Sequence, residues 1–292
     1  MKAFFYKALT AGAKVYGTWF FTLVAGGVAT GYFLLSRRRR AVGLRFYAAL
    51  FPKRSRFHHL CCTWNQFRNF TDVFMDRFIQ SEMENLTYTI DGKVPVASLL
   101  ARKAGGILLM SHMGNWEVAA HLLRNALPEL RLMLYMGIRH KEEIEKIQKQ
   151  SVRERGVKVL GVDEDGGSPF DIVEAIGFLR AGGFVSMAGD RIWREGQRTV
   201  TGVFWGHRVR LPEAPFVLAL VSGAPLIAFF AFRTGNGRYE VTAMPPFSVT
   251  AITRDQRSAA IGQAAQCYLD HMAAALARHP FQWYHFNDFL DY

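Results

Sequence analysis

Apolar side chains recur at helical spacing through the first third of this chain: Leu44, Tyr47, Ala48 and Phe51, then Phe67, Phe70, Phe74 and Phe78. The period predicts two amphipathic helices parted at Pro52, because proline cannot continue a helix. After a turn at Asp91-Gly92 the pattern changes to short apolar runs separated by amphipathic stretches. Strands are expected at Gly106 to Met110, Leu132 to Tyr135, Val157 to Leu160, Phe184 to Met187, Leu226 to Phe232 and Tyr239 to Thr242. Helices are expected at Trp116 to Ala126, Lys141 to Glu154, Phe170 to Arg180, Pro212 to Val221 with its proline in the first turn, and Asp255 to Arg278. Such alternation predicts an α/β fold with a largely parallel central sheet flanked by helices, in which ligands sit beyond the carboxyl ends of the strands.

A separate apolar signal opens the chain. Val15 to Ser36 carries no charge over 22 residues, about 33 Å of helix against a bilayer core of roughly 30 Å. Gly17, Gly26, Gly27, Gly31, Thr18, Thr22 and Thr30 weaken it, so crossing a bilayer and lying at its interface or docked on the body are both open. The division that follows is 1–36 as an N-terminal membrane-anchoring helix, 37–80 as a basic amphipathic helical segment, and 81–292 as an α/β catalytic domain.

Charge sharpens this division. The net charge of +12 is confined to the front: twelve cations precede the first acid, Asp72, and the remaining 24 cations balance 24 anions. A neutral body behind an acid-free basic segment fits an anionic membrane surface better than nucleic acid. The run Arg37 to Arg40 directly after the apolar stretch places the body on the cytoplasmic side if the helix crosses.

With half the residues apolar and 21% charged, disorder is excluded. Three cysteines make no disulfide framework. His58, His59, Cys61 and Cys62 lack a second ligand pair, and Asp163-Glu164-Asp165 lacks the spacing of a calcium loop, so no metal is expected. Glycine-rich phosphate loops and a Gly-x-Ser-x-Gly elbow do not occur, which removes the main support for kinases, P-loop ATPases and Rossmann dehydrogenases and disfavours common serine hydrolases.

Chemistry concentrates in Ser111-His112-Met113-Gly114-Asn115-Trp116-Glu117, just past an apolar strand. Gly114 permits a tight turn, Asn115 can cap the next helix and is a candidate substrate contact, and Glu117 falls in that helix's first turn. A neutral His112 oriented by the Glu117 carboxylate would be a general base suited to deprotonating a hydroxyl. Asp190-Arg191 and Arg139 follow strands ending on the same sheet edge, and a guanidinium fork there suits a phosphate. The oxyanion of an acyl transfer would meet either amides after Gly114 or one of these cations. Ile192 to Leu211, with Arg194, Arg198, Arg208 and Arg210, reads as a loop: a lid, a docking site for an acidic carrier, or a solvated basic segment. The tail Phe281 to Phe289 reads as aromatic packing.

His112-x4-Glu117 after an apolar strand resembles the signature of the glycerolipid acyltransferase superfamily. The surroundings are similar to its branch of lipid A late acyltransferases and mycobacterial mannoside acyltransferases. The resemblance extends over nearly the whole chain: Arg37 to Arg45 leading to Leu50-Phe51-Pro52, Ala188-Gly189-Asp190-Arg191, Val203-Phe204-Trp205-Gly206, Ser222-Gly223-Ala224-Pro225, and His279-Pro280-Phe281-Gln282-Trp283-Tyr284, in the family's order. It implies a membrane-bound O-acyltransferase of the bacterial inner membrane, its catalytic domain on the cytoplasmic face. The acyl group would pass from an acyl carrier protein or coenzyme A thioester, as co-substrate rather than resident cofactor, to a hydroxyl of a membrane lipid or glycolipid. His112 and Glu117 would be catalytic, and Asn115, Arg139, Asp190 and Arg191 would bind substrate. Two other classes compete: a non-catalytic lipid-binding or assembly protein that keeps the fold, and a nucleic-acid module using Arg37 to Arg40.

Overall fold

The computed structural model describes residues 18–79, 87–91, 93–137, 158–162, 169–193, 196–235 and 237–291. In chain order the described elements are α1 (Thr18–Leu35), α2 (Arg37–Leu50), α3 (Arg56–Ile79), β1 (Thr87–Asp91), α4 (Lys93–Ala101), β2 (Gly106–Met110), α5 (Trp116–Ala126), β3 (Leu132–Gly137) and β4 (Lys158–Val162). They continue as α6 (Pro169–Arg180), β5 (Phe184–Ala188), β6 (Thr199–Phe204), β7 (His207–Pro212), α7 (Ala214–Ser222), β8 (Leu226–Gly235), β9 (Arg238–Ala243), α8 (Gln256–Arg278) and β10 (Leu290–Asp291). The helix expected at Lys141 to Glu154 lies outside the described residues.

Seven strands form one sheet in the order β1-β9-β8-β2-β5-β3-β4. Pairing is parallel except between β8 and β9, so β9 and β1 run against the other five. The apolar runs are strands buried on both sides, and alternate residues feed two separate cores. Ile107, Leu109, Val185, Met187, Ala228 and Phe230 face one core, filled from the helices by residues such as Phe46, Leu179, Phe216, Tyr268 and Leu269. Leu108, Leu134, Phe184, Ile227 and Phe229 face the other, filled by Val118, Leu122 and Leu123 of α5. Each such Leu or Val contributes about 1.5–3 kcal/mol on leaving water, which holds α5 against the sheet and aims its first turn.

The site follows from strand order. Strand β5 inserts between β2 and β3, with Met110 opposite Ala188 in a parallel register. The residues leaving β2 and β5 at their carboxyl ends are therefore neighbours, although Met110 and Ala188 are distant in sequence.

Two sequence expectations need correction. Ile192 to Leu211 is not a loop: it holds β6 and β7, an antiparallel hairpin joined through Trp205 and Gly206 at φ 48° and 79°. Positive φ at both turn residues is what a tight two-residue hairpin needs. Val209 and Leu211 point into the core while Arg208 and Arg210 face out, and β10 pairs on β7 to complete a second sheet. Pro212 ends β7 rather than opening a helix; the proline in the first turn of α7 is Pro215.

Among the described residues no helix is long and apolar enough to cross a membrane. Residues 15–17 of the uncharged stretch lie outside the described residues, and α1 accounts for the rest except Ser36. One face of α1 is docked. Ala25, Ala29 and Phe33, at i, i+4 and i+8, are buried, Phe33 meets Phe67 of α3 edge to face at 5.7 Å, and Trp64 donates its indole N–H to Thr30 Oγ1 at 3.2 Å. The opposite face is uncovered, with Leu23, Val28, Tyr32, Leu34 and Leu35 exposed.

Candidate active site

His112 lies two residues beyond the end of β2, in a loop held by three backbone bonds to two segments, the tail and β8. Its backbone carbonyl accepts from Tyr284 N at 2.8 Å, Gly114 N donates to Gln282 O at 2.7 Å, and Asn115 N donates to Ala231 O at 2.8 Å. Gly114 has φ +66°, and a Cβ there would stand 1.8 Å from Ala231 O. Only glycine fits that approach. Asn115, 1% exposed, caps α5 through Oδ1, which accepts from Val118 N at 3.3 Å, and its amide donates to Tyr239 Oη at 3.3 Å. Asn115, expected as a substrate contact, is placed by the structure as a buried helix cap.

Among the described residues the carboxylate that meets His112 Nδ1 is Asp190, a residue expected as a substrate contact, where the linear spacing points to Glu117. Oδ1 of Asp190 lies 2.8 Å from Nδ1, and Oδ2 accepts the His112 backbone N–H at 2.7 Å. The reason is the register of β2 with β5, which places the second residue past each strand side by side. Glu117 occupies the second position of α5, and its side chain lies outside the described residues, as does Arg139.

A third donor completes the Asp190 shell. Trp283 Nε1–H reaches Oδ2 at 2.9 Å. The Asp190 side chain is fully buried. Burial alone would push its carboxyl up, but the charge and hydrogen bonds of His112 outweigh that and hold it below the usual carboxylate range. On the opposite side of the imidazole, Arg191 Nη1 lies 3.2 Å from Nε2. An ionised Asp190 only accepts and a guanidinium only donates, so the neutral ring carries its proton on Nδ1 and its lone pair on Nε2. Nε2 is the basic atom, and the His112 side chain is 25% exposed. Such an arrangement can serve as a general base with an orienting carboxylate and a neighbouring cation.

Of the amides after Gly114 considered for an oxyanion, those of Asn115 and Val118 are already bonded, to Ala231 O and to Asn115 Oδ1. Arg191 is the described donor adjacent to Nε2. Beside it a cavity of about 110 Å³ runs between Asp190, Arg191, Arg210, His285 and Asn287. His285 Nδ1 donates to Asn287 O at 3.0 Å, while Asp288 joins Arg45 of α2 in an ion pair. Burial of His285 depresses its pKa to about 4; Asp190 opposes this, and His112 and Arg191 reinforce it. Among the described residues no group of three or more His, Cys, Asp or Glu could hold a metal ion.

Sequence reasoning missed the part played by the tail. Trp283 and His285 stand in a stretch whose aromatic content reads equally well as packing, and only the tertiary path of residues 279–289 brings them to the carboxyl end of β2. A signal did exist in one respect: an indole and an imidazole among phenylalanines carry polar atoms that a buried setting must satisfy.

Comparison with known proteins bears on this geometry. Residues 4–289 match the family described as bacterial lipid A biosynthesis acyltransferase. A phosphatidylinositol mannoside acyltransferase of Mycobacterium tuberculosis is 25% identical over 205 residues, covering 68% of this chain and 58% of that protein. The protein of the same name from a second strain matches to the same extent. The alignment therefore spans less than two thirds of these relatives.

Proposed function

The chain belongs to the bacterial lipid A biosynthesis acyltransferase family, and from that premise we propose that it moves a fatty acyl group from a carrier-protein or coenzyme A thioester to a hydroxyl of a membrane glycolipid. The observation that carries this reading is the His112–Asp190 pair just past the carboxyl end of β2, with the imidazole part-exposed and its Nε2 beside Arg191, which lines the neighbouring cavity. The acceptor hydroxyl takes the place of Arg191 at Nε2 and gives its proton to that atom as its oxygen attacks the thioester carbonyl. Asp190 stabilises the imidazolium that forms. Arg191, released from the imidazole, meets the oxyanion or a phosphate of the substrate. Collapse of the tetrahedral intermediate breaks the carbon–sulfur bond, and the imidazolium returns the proton to the thiolate. A thioester is already activated, so no Ser or Cys nucleophile is required.

The mycobacterial relatives' name favours a glycosylated lipid as acceptor. The exposed face of α1 beside Arg37 to Arg40 supports attachment to an anionic leaflet, with the catalytic domain on the cytoplasmic face of the inner membrane.

The test is lipid mass spectrometry on membranes of cells lacking the protein, complemented with wild type, His112→Ala or Asp190→Asn. One lipid class should gain a single acyl unit with wild type alone, and each variant should lose about 10²-fold or more of that product. Full product from His112→Ala at equal expression would end the proposal.

A further inference from the structure

Trp283 is among the largest fully buried side chains of the protein, 1% exposed, and its N–H is directed at a charge. Its ring is wedged by edge contacts: Phe46 at 5.3 Å, Phe204 at 5.7 Å and Phe289 at 4.7 Å, with interplanar angles of 73°, 67° and 81°. Phe46 and Phe204 come from α2 and β6, distant in sequence, and Phe289 from the tail itself, so the indole plane is set by tertiary and local packing together. The backbone around it is equally constrained. Trp283 bridges Met113, the flanking residues bond His112 O and Gly114 N, and Gln66 of α3 donates its side-chain amide to Trp283 O at 2.5 Å.

We propose that Trp283 is a positioning residue for His112: its indole N–H holds Oδ2 of Asp190 so that Oδ1 stays on Nδ1 of the imidazole. This rests on the reading of His112 as the base. A carboxylate joined to its chain by rotatable bonds needs more than one anchor to keep a fixed plane. Here Oδ2 has two donors, the His112 amide and the indole, and the imidazole has Oδ1. Without the indole, Oδ2 keeps only the His112 amide, and the buried carboxylate, which has no solvent to turn to, loses the one anchor that does not come from the residue being oriented. Packing alone would fill this space with a phenyl ring and would not require the N–H to face a carboxylate.

The experiment uses the full chain in detergent, labelled with ¹⁵N in histidine and tryptophan. In wild type the His112 nitrogens should report the Nδ1–H tautomer. In Trp283→Phe, which keeps the ring contacts and removes the donor, they should shift toward a mixture of tautomers. In the lipid assay the same variant should lower kcat about tenfold, the scale of one hydrogen bond to a charge, with KM within about twofold of wild type. An unchanged tautomer signature in folded Trp283→Phe overturns the proposal, and so does wild-type turnover by this variant when His112→Ala is inactive. Asp190→Asn guards against a variant that fails to fold: with Trp283 intact, its indole ¹⁵N–H resonance should move, and an unmoved resonance also overturns the proposal. A tautomer change in Trp283→Phe together with absent transfer by wild type upholds the positioning role and removes the acyltransferase reading instead.

Discussion

Asp190 and His285 sit close to the same imidazole and titrate in opposite contexts, which makes the site sensitive to acid at the level of single residues. His285 is depressed to about 4 by burial, against about 6.5 for an unfolded histidine. Between those values the unfolded chain binds a proton that the folded one excludes, so stability falls as pH drops from about 6.5 to about 4. Asp190, depressed by its bonds to His112, contributes stability above the usual carboxylate pKa that is lost only below that window. The melting temperature should therefore decline by several degrees from pH 7 to pH 4.5. His285→Asn should flatten that decline. Thermal melts of both proteins across the range check it, and parallel curves for the two would reject His285 as the source.

At the scale of elements, the turn between β2 and α5 is where sequence and fold constrain each other most tightly. Gly114 combines a left-handed φ with a contact that leaves no room for a methyl group against the Ala231 carbonyl of β8. Gly114→Ala should cost more than about 2 kcal/mol, because strained backbone and a clash with a main-chain atom add together. It should also lower acyl transfer, since the same turn carries His112. Denaturant melts measure the first effect and the lipid assay the second; a near-neutral change in stability would show that the loop tolerates displacement. The long helices and apolar strands were legible from periodicity alone. The β6–β7 hairpin was not, because arginines alternating with short β-branched residues look like a solvated segment until a core is available to cover one face. The tail was illegible for a related reason: its meaning lies in Asp190, the residue it touches, and no local pattern encodes that contact.

For the whole molecule, the docked helix α1 presents Leu34 and Leu35, 60% and 85% exposed, immediately before the exposed arginines 37–39. An apolar ridge next to a cationic run suits the boundary between headgroups and acyl chains of an anionic leaflet. The protein should sediment with anionic vesicles and much less with neutral ones, and raising salt well above 0.1 M, where the screening length is about 10 Å, should weaken the interaction. Leu34→Ser with Leu35→Ser should reduce binding severalfold. Equal, salt-insensitive binding to both vesicle types would rule out this surface as the membrane contact.

By itself the sequence determined the alternation of strands and helices, the basic front and neutral body, and the placement of His112 at a strand's carboxyl end. These follow from periodicity, charge order and turn chemistry, which are local properties. The identity of the carboxylate on Nδ1 was decided by tertiary structure, because parallel insertion of β5 beside β2 places Asp190 closer to the imidazole nitrogen than any nearby position in the chain had promised. Packing likewise decided that α1 lies against α3 and that Trp283 points at a carboxylate. Each depends on which surfaces meet after the sheet has formed, and neither periodicity nor spacing carries that information.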